Sequence, residues 1–150
     1  MLPFAGRRAE ADEALSRAFA RRDRVPEQER YYISYRYYVR SGELRKALEV
    51  SETWARVYPR NWMPHDSLCK LNWQLWNTER AIGECREAIR LDPGSILAHL
   101  GVARARALGG DRAECLAAYE RFLAVWSEAD EDLPILKEAK REYAAIKTAP

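Results

Sequence analysis

The chain has 150 residues, of which 47% are hydrophobic and 32% are charged, and its 25 basic and 23 acidic residues leave a net charge of only +2. This composition can form a buried core and argues against a disordered tail. The near-balance of charge gives no overall attraction to nucleic acid or to anionic membranes, and no apolar run approaches the roughly 18 residues that a membrane span needs. We therefore expect neither nucleic-acid binding nor insertion of this chain into a membrane.

The first predicted element is an N-terminal helix. Between Glu10 and Arg22, apolar residues recur at the spacing of one helix face, which places the helix at about residues 9–24. The preceding residues look irregular. Pro26 follows, and proline suits the first turn of a helix, so a second helix should begin there.

Three units of equal length come next, at residues 28–61, 62–95 and 96–129. Each reads as a helix, a short turn and a second helix. Pro59 and Pro93 close the first two units at an interval of 34 residues. Repetition at this period predicts stacked helix–turn–helix units, which form binding surfaces far more often than catalytic sites.

Small residues repeat at the same interval inside the units. Ala47, Ala81 and Cys115 share one position of the second helix, and Gly42 and Gly110 share the turn position, which Trp76 occupies in the middle unit. The shared positions indicate that the three units have one design, because small residues recur where helices pack closely.

The chain ends with a predicted capping helix at residues 132–147. Asp111, with Glu114 three residues later, forms a capping-box pattern at the start of the preceding helix. The acidic stretch at 128–132 would favour the N-terminus of the last helix through its dipole. No β alternation is present, so the predicted fold class is all-α and residues 1–150 are expected to form one domain.

The repeats resemble the tetratricopeptide (TPR) family, which places an aromatic, a Leu–Gly pair and a Tyr on the first helix and Ala, an aromatic and Pro on or after the second. Tyr35, Asn72 and Arg106 depart from this pattern. The matching positions are Tyr31, Ser34, Tyr35, Tyr38, Ala47, Ser51 and Pro59, then His65, Leu68, Cys69, Asn72, Ala81, Cys85 and Pro93, then His99, Val102, Ala103, Arg106, Cys115 and Tyr119.

The resemblance implies a right-handed superhelical array (an α-α superhelix) of three helix pairs, with an N-terminal helix and a C-terminal capping helix. It covers residues 28 to about 128, and the flanking helices would cover apolar end faces. It also implies that the first helices line a concave groove that binds an extended peptide. The chain is therefore expected to be a non-catalytic protein-interaction module.

A narrower resemblance links residues 54–65 and 124–140 to TPR segments that follow serine/threonine kinase domains in bacterial signalling proteins. The chain itself carries no kinase motif. This resemblance implies an alternative function, in which the chain is a structural, oligomerising or regulatory segment that packs against an attached kinase or transcription-regulator domain.

One repeated position is basic in all three first helices: Arg36, Lys70 and Arg104. In the TPR family this position faces the groove, so three cations would attract an acidic or phosphorylated peptide through charge-assisted hydrogen bonds. An ordinary solvated helix surface explains the same residues equally well. The predicted partner-binding set is Tyr32, Arg36, Arg40, Lys70, Trp73 and Arg104.

This arrangement differs from the carboxylate clamp by which some TPR domains hold chaperone tails. Tyr32 and Asp66 stand where such a clamp needs polar or basic groups, and Asp66 would repel a terminal carboxylate. The sequence thus disfavours chaperone docking. Self-association stays open as a further partner class.

The histidines and acidic pairs point to packing rather than chemistry. His65 and His99 lie 34 residues apart at a packing position, without the ligand spacing of a metal site. Glu138 and Glu142 read as ordinary surface charges on one helix. We expect no enzymatic activity, no metal and no cofactor.

The three cysteines, Cys69, Cys85 and Cys115, form no close pair in sequence, and their odd number argues against a disulfide framework. A cytoplasmic location is the default expectation, and an upstream membrane span in a longer native chain would change it. Cys69 and Cys85 face each other within one helix pair, so oxidation between them stays open.

Overall fold

The computed structural model describes residues 4–127 and 133–150. Within these ranges the chain forms eight α-helices, one short 3-10 helix and no β-strand, which confirms the all-α prediction. The helices are α1 (Phe4–Ala20), α2 (Glu27–Arg40), α3 (Leu44–Val57), α4 (Trp62–Gln74), α5 (Thr78–Leu91), α6 (Ile96–Leu108), α7 (Arg112–Val125) and α8 (Pro134–Thr148), with the 3-10 helix at Arg22–Arg24. None of these helices is long and apolar enough to cross a membrane.

The helix limits agree with the repeat pattern, except at the N-terminus. Helix α1 begins at Phe4, although the sequence pattern indicates irregular chain before Glu10. The early segment contains alanine and arginine, which are good helix formers even where no apolar stripe marks a helix. The predicted end of the third unit at residue 129, the start of the last helix at residue 132 and the acidic stretch 128–132 lie outside the described residues.

Two compact units make up the chain, Met1–Pro59 and Arg60–Pro150. In the first unit, α2 packs against both α1 and α3. Phe19 of α1 stacks on Tyr37 of α2, with ring centroids 3.9 Å apart. Trp54 of α3 is fully buried and stacks on Tyr31 of α2 at 6.2 Å.

The second unit contains the other five helices, each packed against the next, and α4 also contacts α6. Its core combines Leu100 of α6, Tyr119 and Phe122 of α7, and Leu136 and Ala139 of α8, all of them buried. Because α8 contributes two core residues, it is an integral part of this unit.

The turns inside the helix pairs require a left-handed backbone at the repeated position. Gly42 has φ 77° and Gly110 has φ 74°, and Trp76 holds the same conformation with φ 62°. A side chain at positive φ costs free energy that glycine avoids. The repeat thus imposes one turn geometry, and Trp76 adopts it in spite of its Cβ.

The predicted cap of α7 is present. The side chain of Asp111 accepts a hydrogen bond from the backbone N–H of Glu114 at 3.2 Å. This bond satisfies one of the donors that the first turn of a helix leaves open.

Candidate functional site

The exposed basic and aromatic residues of α2 form the first part of the predicted site. Tyr32 is 37% exposed, and its ring lies edge-on to the buried Trp54. The guanidinium of Arg36 donates a 3.4 Å hydrogen bond to the Tyr32 hydroxyl, and its central carbon lies 5.9 Å from the Tyr32 ring centroid. No carboxylate among the described residues pairs with Arg36.

Arg40, at the end of α2, is engaged inside the first unit. Its Nε donates a 2.7 Å hydrogen bond to Oδ1 of Asp12 on α1, and the two side chains form an ion pair. A partner that binds Arg40 would have to compete with Asp12. The role of Arg40 in partner binding stays a prediction.

Lys70 carries its counter-charge on the same helix. Its ammonium lies 2.5 Å from Oδ2 of Asp66, one turn earlier on α4. Asp66 is only 7% exposed, and its other carboxylate oxygen has no hydrogen-bond partner among the described residues. The charge of Lys70 is thus balanced inside the second unit.

Arg104 of α6 is held by α8. Its Nε and Nη2 donate to the two carboxylate oxygens of Glu142 at 3.1 and 2.9 Å, and Glu138 lies 3.4 Å from Nη2. Tyr119 of α7 donates a 2.5 Å hydrogen bond to the same Glu142. The sequence-based interpretation of Glu142 as an ordinary surface charge is therefore wrong, because this carboxylate joins three helices.

The buried setting changes the ionisation of this group of residues. Burial lowers the pKa of Arg104, but the hydrogen bonds to Glu142 raise it, and the net pKa lies above the ordinary value. Burial, and then the hydrogen bond to Glu142, raise the pKa of Tyr119 far above its ordinary value. Arg104 thus stays charged and Tyr119 stays neutral at physiological pH.

Trp73 of α4 lies beside Arg104. The guanidinium carbon of Arg104 is 5.5 Å from the Trp73 ring centroid, a cation–π distance, and the indole also packs against buried residues of α5 and α6. Trp73, Arg104, Tyr119 and Glu142 line a cavity of about 280 Å³ in the second unit. Trp73 is therefore both a packing residue and a wall of this cavity.

The histidines and cysteines have structural partners. Nδ1 of His65 lies 2.8 Å from a carboxylate oxygen of Glu84, a contact that the spacing analysis missed because it crosses between α4 and α5. No group of three metal-ligating side chains occurs in the described part of the chain.

Cys69 and Cys85 are joined by a disulfide that links α4 to α5, and Cys115 is a buried free thiol. A Cβ added at Gly101 of α6 would lie 2.5 and 2.7 Å from the two sulfur atoms, so α6 packs closely over the disulfide. Stable disulfides form mainly in oxidising compartments, so this disulfide gives no support to a cytoplasmic location. The cytoplasmic location stays a prediction.

Sequence reasoning missed the residues that α8 brings to the site. Glu142 and Ile146 lie outside the repeated interval, so their alignment with Arg104 and Trp73 has no periodic signal. The apolar stripe on the last helix predicts which face packs inward. It does not predict that a charge on the edge of that face pairs with Arg104.

Solved structures with the same arrangement of helices are TPR domains. The TPR2B domain of yeast Sti1, in its Hsp70 complex, superposes with a TM-score of 0.73 at 17% identity over 80% of this chain and 95% of that chain. The second TPR domain of human RPAP3, in complex with an HSP70 peptide, gives 0.68 at 20% identity over 81% and 99%. A TPR protein of Thermus thermophilus gives 0.68 at 20% identity over 97% and 93%.

Comparison by sequence gives no match, either to a protein-family model or to a curated protein. The structural likenesses establish the TPR fold of this chain.

Proposed function

We propose that this chain, which has the TPR fold, is a non-catalytic protein-interaction module that binds an extended peptide through the first helices of its repeats. We further propose that the peptide is acidic or phosphorylated. The observation that carries this proposal is the environment of Arg36. This exposed cation is oriented by Tyr32 and has no carboxylate partner among the described residues.

The other two repeated cations would contribute less. A peptide carboxylate at Lys70 must compete with Asp66, and one at Arg104 must compete with Glu142. A phosphate carries roughly −1.5 to −2 charges and three acceptor oxygens, so it competes better than a carboxylate. We expect Arg36 to dominate the preference for acidic peptides, with Lys70 next.

The relatives in structure support a peptide ligand at the level of the fold only. The Sti1 and RPAP3 domains are solved with Hsp70 and HSP70 peptide. One fold hosts many functions, so the ligand must be argued from this chain's own side chains. Asp66 is paired with Lys70 and would disfavour a terminal carboxylate at this position, whereas an acidic side chain of a peptide can bind Arg36. We therefore propose an internal peptide segment as the ligand.

The test begins with a random 12-residue peptide library displayed on phage and selected on the immobilised protein. Affinities of the enriched peptides are then measured by fluorescence anisotropy for the wild type, Arg36→Glu and Arg45→Glu. Arg45 is also exposed but lies on the second helix α3, so its variant controls for the change in net charge. A charge-assisted hydrogen bond contributes about 1.5–3 kcal/mol, so Arg36→Glu should weaken binding at least about tenfold.

Three results would contradict this proposal in whole or in part. No enriched peptide at all would argue against a peptide-binding module. Equal weakening by Arg36→Glu and Arg45→Glu would mean that only the overall charge matters. Enriched peptides without acidic residues would support a peptide-binding module but contradict the proposed preference for acidic peptides.

A second candidate function is self-association, and one observation favours it. Trp76 is 74% exposed and also has a positive φ, so the chain keeps a large apolar side chain at a position where glycine would be more stable. Sedimentation equilibrium would show a dimer that Trp76→Ala dissociates. A strict monomer across the concentration range would argue against self-association. Either result can be obtained with this chain alone.

A further inference from the structure

The cavity in the second unit lies between α4, α6, α7 and α8. Its apolar walls are the Trp73 ring, Leu108 and Ala107 of α6, and Ala145 and Ile146 of α8. Its volume of about 280 Å³ lies just below the range of roughly 300–1,000 Å³ that is usual for small-molecule sites. The space suits one side chain better than a cofactor.

The charged and hydroxyl groups in the wall of this cavity pair with one another, and the indole N–H of Trp73, which has no hydrogen-bond partner among the described residues, is buried away from solvent. Arg104 uses two donors on the two oxygens of Glu142, and the Tyr119 hydroxyl donates to Glu142 as well. The positive and negative charges therefore cancel at the wall. The exposed lining of this open pocket is almost entirely apolar, so an apolar occupant gains free energy from burial there, whereas a charged occupant would lose part of its hydration for little in return.

We propose that this cavity binds one apolar side chain, of the size of leucine or methionine, from the peptide that the module recognises. The proposal rests on the proposed function and adds a specificity position to it. Ala145 and Ala107 are small and exposed, so they leave room at the mouth, and the Trp73 ring supplies the largest apolar wall.

The proposal gives α8 a role in recognition. Two of the five apolar wall residues come from this helix, and its Glu142 holds Arg104 against Trp73. The helix that caps the second unit thereby completes a binding site. A chain without α8 would lose the site as well as the cap.

A matched pair of variants tests the cavity itself. Ala145→Leu places an apolar side chain of the protein in the cavity, while Ala144→Leu makes the same change at the adjacent exposed position of α8, which does not line the cavity. The probe is N-acetyl-L-leucinamide, with N-acetyl-L-serinamide as the polar control. Binding is followed by the NMR signal of the Trp73 indole N–H, which is assigned with Trp73→Phe.

We expect a saturable shift of the Trp73 signal with the leucine probe in the wild type and in Ala144→Leu. In Ala145→Leu the affinity should fall at least about fivefold, because the larger side chain introduced at this position would occupy the cavity. Equal shifts with the serine probe, an unchanged affinity in Ala145→Leu, or no saturable shift would each overturn the proposal.

The selected peptides separate this proposal from the proposed function. Replacing the recurring apolar residue of a peptide by serine should weaken its binding to the wild type about tenfold and leave its binding to Ala145→Leu unchanged. If peptides bind and the serine replacement weakens binding to the wild type and to Ala145→Leu by the same factor, the cavity proposal fails while the proposed interaction module stands. If no peptide binds, the proposed function fails whatever the leucine probe does.

Discussion

Arg36 and Arg104 occupy the same position of two repeats, but their surroundings differ. Arg36 of the first unit is exposed, hydrogen-bonds to Tyr32 and pairs with no carboxylate among the described residues, whereas Arg104 of the second unit is 21% exposed and forms two hydrogen bonds to Glu142. The repeat places a cation on each first helix. What the cation does depends on the elements packed around it, since α8 supplies a carboxylate only in the second unit.

The two units differ in the same way in what stabilises them. The second unit has a disulfide, a cluster of ionic groups shared by three helices and a close contact of α6 with sulfur. The first unit relies on stacked aromatic rings and an exposed ion pair, and its sequence contains no cysteine. We therefore expect changes in the second unit to alter stability, and changes at Arg36 to alter binding.

The largest expected effect is that of a reductant, which acts on the second unit alone. The Cys69–Cys85 disulfide spans 16 positions, and a loop of this size contributes about 3 kcal/mol to the free energy of unfolding in the chain-entropy account. Amide hydrogen exchange should show faster opening of α4 and α5 after reduction, with α2 unchanged. The double variant Cys69→Ala/Cys85→Ala should not respond to the reductant. Equal acceleration in α2 would show that the disulfide does not stabilise the second unit alone.

Gly101→Ala should have the next largest effect, because the new Cβ would meet both sulfur atoms of the disulfide at well below contact distance. We expect a loss of about 2 kcal/mol in the free energy of unfolding, as for other overpacked cores. Gly83→Ala is the matched control, since a Cβ there meets nothing within 4 Å and alanine favours a helix. Chemical denaturation measures both. A neutral Gly101→Ala would mean that α6 does not pack over the sulfurs.

The two cross-helix ion pairs provide a third test. Glu142→Ala removes the partner of the largely buried Arg104 and should cost about 1.5 kcal/mol, whereas Asp12→Ala breaks the exposed pair with Arg40 and should cost no more than about 0.5 kcal/mol. Urea denaturation of the two variants gives the comparison directly. Similar losses in the free energy of unfolding at both sites would show that the ion pair of Arg104 stabilises the protein no more than that of Arg40.

Trp76→Gly should increase stability, by about 1 kcal/mol, because glycine adopts the positive φ of this turn without a Cβ clash. Gly42→Ala, at the same turn position of the first unit, should decrease stability by a similar amount. Thermal unfolding of the two variants checks the pair of predictions. A destabilised Trp76→Gly would indicate that the exposed indole makes a contact important for folding.

Much of this fold is readable from the sequence because packing and turn geometry repeat. The interval that relates Gly42, Trp76 and Gly110 identifies the three turns, and their common positive φ explains why the position repeats. The cap at Asp111 is equally local. Local constraints of this kind act within one helix pair, so the linear pattern contains them.

The candidate site could be predicted only in part, since its key contacts join distant residues. The position of Arg104 follows from the repeat, but its pairing with Glu142, 38 residues later, depends on how α8 packs. The same holds for Ile146 beside Trp73 in the cavity. The repeat spacing predicts the positions of the three cations on their helices. It does not predict which of these cations pair with a carboxylate of the same chain.

The most direct test of the central claim is an NMR map of the protein with a selected peptide bound. The account predicts that chemical-shift changes concentrate on the first helices α2, α4 and α6, near Arg36 and Trp73, and on the cavity-lining part of α8. Changes concentrated on the second helices α3, α5 and α7 would contradict it.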